Sequence, residues 1–251
     1  MEGPSLVGLS GQMALRQQLD VVANNIANAN TTAYRGDRTL FQSHVNRLAV
    51  PGREVAFVQD RATYVDIRPG AIAPTGNPLD IGLDGDAFLA VERPGNGGRG
   101  YTRDGRLRVA PDNTLIDTAG RAVLDEGGGK LLMPERFSSV EIRADGTILA
   151  TTEGRAEQVG RLGLFRVGDA RGIRKAGDGL LEIPQADLRP VEPGARDVRV
   201  VQGALEGSSV QPIAEIANLT ALQRAYDSVQ RIVSDDDSRI RKMIEALGRP
   251  N

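Results

Sequence analysis

Cysteine is absent from the 251 residues of this chain, and its absence removes disulfides, thiolate metal ligands and thiol nucleophiles together. Such a chain suits reducing and oxidising compartments equally. Tryptophan is also missing and aromatic residues make up only 4%, so a surface that binds sugars or bases by stacking would have few residues to use. There is one histidine, His44. Alone it cannot build a multi-histidine metal site, and no motif supplies a nucleophile for it to activate. A surplus of either charge is lacking as well: 31 basic residues face 33 acidic ones, for a net charge of -2. The chain therefore carries no electrostatic footprint for nucleic acid or an anionic membrane. No apolar run approaches the roughly 20 residues that a membrane span requires. After Val7 to Leu9 the N-terminus turns polar at Gln12, Arg16, Gln17 and Gln18 without a basic lead, so no cleaved signal peptide is expected.

Motifs that resemble chemistry fall short of it. Gly97 to Gly100 and Gly127 to Lys130 are glycine-rich but lack the spacing of a phosphate loop. Asp84-Gly85-Asp86 invites a calcium reading, yet an EF-hand needs alternating oxygen donors, a bidentate Glu at position twelve and flanking helices. Asp-Gly steps are instead expected to make turns, as are Asp104-Gly105 and Asp145-Gly146, each just before an alternating run. Glycine there is expected to supply the positive φ of a tight hairpin turn. Neither a catalytic residue, nor a cofactor, nor a metal ligand is expected.

What the chain has in quantity is turn-forming residues in the middle, with 30 Gly and 13 Pro, and apolar stripes at both ends. A helix is expected from Ser5 to about Asn28. Leu15, Leu19, Val22 and Ile26 fall on one face, and Leu6, Leu9 and Met13 fall roughly opposite, so this helix needs neighbours on two sides. Asn24, Asn25, Asn28 and Asn30 then offer short polar side chains that compete for backbone groups, which suits a helix end and an ordered turn. Residues 39 to 49 carry Leu40, Phe41, Val45 and Leu48 at helical spacing and are expected to form a short helical or irregular piece. Beyond Pro51-Gly52 the pattern alternates as in half-buried strands. Near the end, Leu219, Tyr226, Val233, Ile240 and Leu247 form a heptad series, with Leu222, Val229, Asp236 and Met243 three positions on. The partner is expected to be the N-terminal helix, in the same chain or a neighbouring one, and Asp235 to Asp237 are expected to interrupt or weaken the last helix.

At this point the chain resembles the axial proteins of the bacterial flagellar basal body. The segment Leu19-Asp20-Val21-Val22-Ala23-Asn24-Asn25-Ile26-Ala27-Asn28-Ala29-Asn30-Thr31-Thr32-Ala33-Tyr34 is similar to the signature of rod proteins, with Ala33-Tyr34 where Gly and Phe are common. Gly76-Asn77-Pro78-Leu79-Asp80 and Tyr101-Thr102-Arg103-Asp104-Gly105 match segments shared by rod and hook proteins. Gln202 to Val210, with Arg224-Ala225-Tyr226, matches the run into the terminal helix. Asp84-Gly85-Asp86-Ala87-Phe88 departs from the usual Gly-Asp-Gly-Phe-Phe, and looser packing is expected at Ala87.

The resemblance implies an α+β fold in which N- and C-terminal helices pair in an assembly layer around a β-rich middle of short strands and hairpins. The expected organisation is residues 1–34 as helix and Asn-rich turn, 35–75 as a linker region with short strands, 76–203 as the middle domain and 204–251 as a coiled-coil-forming helix. It further implies a structural subunit of the rod, nearer its proximal part, that transmits torque and is exported without signal cleavage into the part of the axis crossing the periplasm. Its expected partners are other rod and axial subunits, further copies of itself, and export-gate or hook-basal-body proteins. A distal rod or hook-type subunit is the alternative, and a fibre-associated carbohydrate-binding module or enzyme a more distant one. The residues expected at the assembly interface are the apolar positions of both helices and the four asparagines named above.

Overall fold

The computed structural model describes residues 3–47, 54–95, 98–169, 172–177 and 179–247. Helix α1 spans Gly3–Ala27 and is followed by strands β1 (Asp37–Arg47), β2 (Glu54–Val65), β3 (Ile72–Pro74), β4 (Ile81–Asp84), β5 (Ala87–Glu92) and β6 (Arg99–Thr102). Next come β7 (Arg108–Val109), β8 (Leu115–Ile116), β9 (Ser139–Ile142), β10 (Thr147–Thr152), β11 (Arg155–Arg161) and β12 (Leu164–Val167). The chain continues through β13 (Arg174–Gly177), β14 (Leu180–Glu182), β15 (Leu188–Pro190), β16 (Arg199–Gln202) and β17 (Ala204–Glu206), and ends in helix α2 (Pro212–Leu247). The expected α+β class, with terminal helices that touch and a middle of short antiparallel strands, is what the chain adopts.

Two compact units arise, each from separated stretches of sequence. The first combines Met1–Ala27, Asp37–Thr63 and Gln211–Asn251; the second combines Asn28–Gly36 and Tyr64–Val210. In the first unit α1 packs on α2 within the chain. From Glu215 to Arg239 the residues of α2 that are not exposed are Glu215, Leu219, Leu222, Tyr226, Val229, Val233 and Asp236. That is the heptad series, so the seam lies against α1. At Gly8 a side chain would come within 2.5 Å of Val233 Cγ2, so the helices approach closely there.

Two expectations fail in this unit. Residues 37–47 form strand β1, paired with β2, rather than a helical piece. Apolar residues at 40, 41 and 45 fit a helical face, but the alternating stretch after Pro51-Gly52 supplies a strand partner, and pairing overrides spacing. Leu48 lies outside the described residues. Asp235 to Asp237 do not interrupt α2, which is continuous. Asp235 and Asp237 sit on its exposed side, and Asp237 pairs with Arg241 one turn on at 2.9 Å.

The second unit is built around a six-stranded sheet in the order β13-β14-β6-β5-β12-β15. Its central strand β5 is buried on both faces: Ala87, Leu89 and Val91 join one apolar cluster, Phe88 and Ala90 the other. That explains the unbroken apolar run Ala87 to Val91, since a strand covered on both sides need not alternate. Ala87 is fully buried within the first of these clusters. Aspartates hold many turns by accepting the backbone N–H two residues on, at Asp66, Asp104, Asp112, Asp117 and Asp145. The Thr147 N–H, first of all, holds the Asp145 carboxyl below its ordinary value.

The two Asp-Gly steps differ. Gly146, at φ +85°, turns the β9–β10 hairpin as expected. Gly105 is not left-handed and joins no hairpin. Its place requires glycine because a Cβ would lie 1.9 Å from the Ile81 carbonyl oxygen.

Candidate functional site

Because no catalytic constellation is expected, the functional question is which residues fix the terminal segments and which remain open to a partner. Among the described residues no group of three or more His, Asp or Glu side chains converges, and Asp84 of the calcium-like motif pairs instead with Arg199 at 3.2 Å. His44 lies in β1.

In the first unit Asn25 is 2% exposed and binds the backbone of one residue twice. Its Nδ2 donates to the Asp37 carbonyl at 3.0 Å, and the Asp37 N–H donates to its Oδ1 at 2.9 Å. Only an amide offers donor and acceptor in this arrangement. The Asn25 side chain thus takes the place of a strand neighbour at the first residue of β1. The other asparagines are more open: Asn24 and Asn30 are exposed and Asn28 is half-buried.

In the second unit Glu206, at the end of β17, is wholly buried. Its Oε1 accepts from Arg35 Nη2 at 2.5 Å and from the Gly70 N–H at 2.6 Å, while its Oε2 accepts from Arg103 Nε at 2.6 Å. Arg103 spends its remaining donors on the carbonyls of Leu83, Gly85 and Ala87, so no part of its buried charge is left without acceptors. Arg35 is less well served. Burial pushes its guanidinium below the ordinary value, Glu206 opposes the shift, and Arg103 adds to it. The Glu206 carbonyl also accepts from the Ala33 N–H at 2.9 Å. One glutamate therefore holds residues 33–35 by both backbone and side chain. Sequence reasoning missed this clamp, although Arg103 and Glu206 both lie inside the motifs that carry the resemblance.

Ala33 has φ +57°, a left-handed conformation that costs a residue with a Cβ roughly 1–2 kcal/mol. Replacing Ala33 by Gly is expected to stabilise the fold by a net ~0.5–1 kcal/mol, because relief of strain exceeds the greater chain entropy of glycine when unfolded. A higher thermal midpoint in circular dichroism would show it; an unchanged or lower midpoint would contradict it.

The residues expected at an assembly interface divide by exposure. Leu9 is 50% exposed, Met13 67% and Met243 46%. On α1, Val22 is buried and Leu15, Leu19 and Ile26 are half-buried; on α2, Leu219, Leu222, Tyr226, Val229 and Val233 are half-buried. Leu6, Ile240 and Leu247 lie within the helices. Exposed apolar residues that the heptad reading left out are Ile213, Ile216 and Ile232, at 87%, 52% and 64%. The signal for them was available, as apolar residues off the heptad seam.

Three family models match the chain in the order of its elements. Residues 6–35 match the flagella basal body rod protein model, 82–150 the flagellar hook protein FlgE/F/G D1 domain, and 201–246 the flagellar basal body rod FlgEFG protein C-terminal model. The flagellar basal-body rod protein FlgF of Caulobacter vibrioides is 37% identical over 255 residues, covering the whole of both chains. The FlgF of Rhizobium meliloti is 33% identical over 242 residues, covering 96% of each. Identity to FlgG of Bacillus subtilis is lower, 26% over 257 residues, covering 94% of this chain and 96% of that one. With matching models at both terminal segments and in the middle, and a relative of this identity along its full length, the chain belongs to the flagellar basal-body rod protein family.

Proposed function

We propose that the chain is a structural subunit of the proximal rod, of the FlgF type, and that it joins other axial subunits through the outward faces of its terminal helices. The higher identity to FlgF than to FlgG relatives supports the proximal assignment. No described helix is long and apolar enough to cross a membrane, in keeping with a rod portion that crosses the periplasm as part of the axis. The observation that carries the assembly reading is the exposed apolar set Leu9, Met13, Ile213, Ile216, Ile232 and Met243 on helices whose other faces already pack on each other. Large apolar side chains left exposed on both helices are the candidates for an interaction surface. The heptad residues then keep the helix pair stiff, as a subunit that transmits torque requires, and the outer residues join subunits.

The two groups separate by experiment. Ile216→Asp is expected to leave the thermal midpoint of the isolated chain nearly unchanged and to abolish incorporation into basal bodies, because the charge meets water in the free subunit and an apolar surface in the assembly. Leu222→Asp is expected to cost about 2–3 kcal/mol in the isolated chain itself. Normal rods and motility with Ile216→Asp would exclude this face as the interface.

A further inference from the structure

The chain passes between the two compact units four times, after Ala27, Gly36, Thr63 and Val210. On the side of the second unit, the residues beside three of these passages are bonded to one another. The Gly36 carbonyl accepts from the Asp66 N–H at 2.8 Å, and the Gly36 N–H donates to Ser209 Oγ at 3.1 Å. The Ser209 N–H donates to the Tyr34 carbonyl at 3.0 Å, and the Ala33 N–H to the Glu206 carbonyl at 2.9 Å. The stretch after Asp66 joins them as well. There the Gly207 N–H donates to the Ala71 carbonyl at 2.8 Å, continuing the ladder of β17 on β3. A Cβ at Gly70 would lie 2.3 Å from the Gly207 carbonyl oxygen, so the two backbones are pressed together. Residues 33–36, 64–71 and 206–209 thus form one splice, reinforced by the buried Arg35–Glu206 pair. Ala33, at φ +57°, is held inside it. A residue with a Cβ persists in that conformation only where its surroundings over-determine it, and such strain gathers at working parts of a protein.

We propose that this splice shares mechanical load among the chain passages, and that Ser209 is the positioning residue that keeps it closed under torque. The inference rests on the structural-subunit reading above and deepens it by naming the part of the subunit that carries the force. Gly36 stands directly before β1, and Ser209 three residues before α2. A pull arriving along either stretch is met by its bonds to the other and to residues 64–71. Bonds loaded side by side divide a force, whereas bonds loaded one after another each bear all of it. Ser209 is placed to decide which case applies, because it grips residues 34–36 twice, through its N–H and through its hydroxyl oxygen. The hydroxyl bond is the one that a side-chain substitution removes without altering the ladder.

The test substitutes Ser209 in the full chain and loads the rod in living cells. Ser209→Ala removes the acceptor of the Gly36 N–H, and Ser209→Thr keeps one. Ser209→Val has the shape of threonine without its hydroxyl, so it separates the bond from the space. In the isolated chain, exchange of the Gly36 amide hydrogen is expected to speed about fivefold in Ser209→Ala and Ser209→Val and to change little in Ser209→Thr. Purified basal bodies are expected to contain all three variants in normal amount, and the cells to swim normally in dilute medium. In viscous medium the motor works against high torque, and breakage of the axis is counted as filaments shed. Shedding there is expected to rise about fivefold in Ser209→Ala and Ser209→Val, since forced opening follows the unfolding rate. Ser209→Thr is expected to restore it to the original level. Unchanged exchange at Gly36, shedding that does not depend on viscosity, equal shedding in Ser209→Thr and Ser209→Val, or exclusion of Ser209→Ala from basal bodies would each overturn the proposal and leave the structural-subunit reading intact. Absence of the unsubstituted chain from basal bodies would overturn both.

Discussion

Replacing Glu206 by alanine is expected to lower the free energy of unfolding by about 3–5 kcal/mol, the usual cost of removing one partner from a buried ion pair. The loss falls on several groups at once. Arg35 and Arg103 side chains are only 2% and 1% exposed, and the Gly70 N–H loses its acceptor as well. Arg103 retains its three carbonyls, whereas among the described residues Arg35 keeps one long bond of 3.4 Å, to the Tyr34 carbonyl, and the more distant charge of Asp66. The Arg35 side therefore suffers more, and the 28–36 segment is expected to detach first. Glu206→Gln should fall between, since the amide keeps one acceptor but turns an N–H₂ toward a guanidinium. Urea unfolding followed by far-ultraviolet circular dichroism measures the difference, and hydrogen exchange at residues 33–36 reports the local release. Unaltered unfolding in Glu206→Ala would mean that the clamp does not hold these segments.

Gly105→Ala is expected to cost roughly 2–4 kcal/mol, as overpacking against backbone does. A methyl group there would meet the Ile81 carbonyl oxygen at 1.9 Å and its Cγ1 at 2.7 Å. The two stretches cannot part without loss, because the Ile81 N–H donates to the Gly105 carbonyl at 2.9 Å and Ile81 is wholly buried. Gly146→Ala is the contrast: its nearest neighbours stand at 3.4 Å, so the cost reduces to the left-handed backbone, about 1–2 kcal/mol. Matching losses in the two variants would show that Gly105 is no tighter than an ordinary turn.

The comparison of these glycines illustrates what the sequence conveys. A repeated Asp-Gly before an alternating run signals a turn aspartate, and both aspartates do accept the N–H two residues on. It does not convey which glycine is needed for backbone angle and which for space, because the crowding at Gly105 comes from Ile81. The heptad was readable for the opposite reason: its period is local, and its half-buried residues from Leu219 to Asp236 follow it without exception. Strand β1 forms although Leu40, Phe41 and Val45 follow a helical spacing, because its pairing with β2 decides. The Arg35–Glu206–Arg103 clamp left no local pattern at all, being made by residues scattered across the chain. Asn25 lay in between, its importance visible in the asparagine-rich motif but its twofold grip on Asp37 visible only in space.

Arg35 and Glu206 are separated by 171 residues, and this spacing sets an order of events for any chain that emerges from its N-terminus. The carboxylate that answers Arg35 arrives only with β17, and the seam that covers α1 arrives later still, with α2. Until then the middle sheet can pair, since its strands close over shorter stretches, but the first segment has neither its ion partner nor its apolar cover. Contacts this distant in sequence form late and slowly. A subunit delivered as an unfolded thread would thus keep its leading end pliable for the whole of its passage and stiffen it only when the trailing end is free.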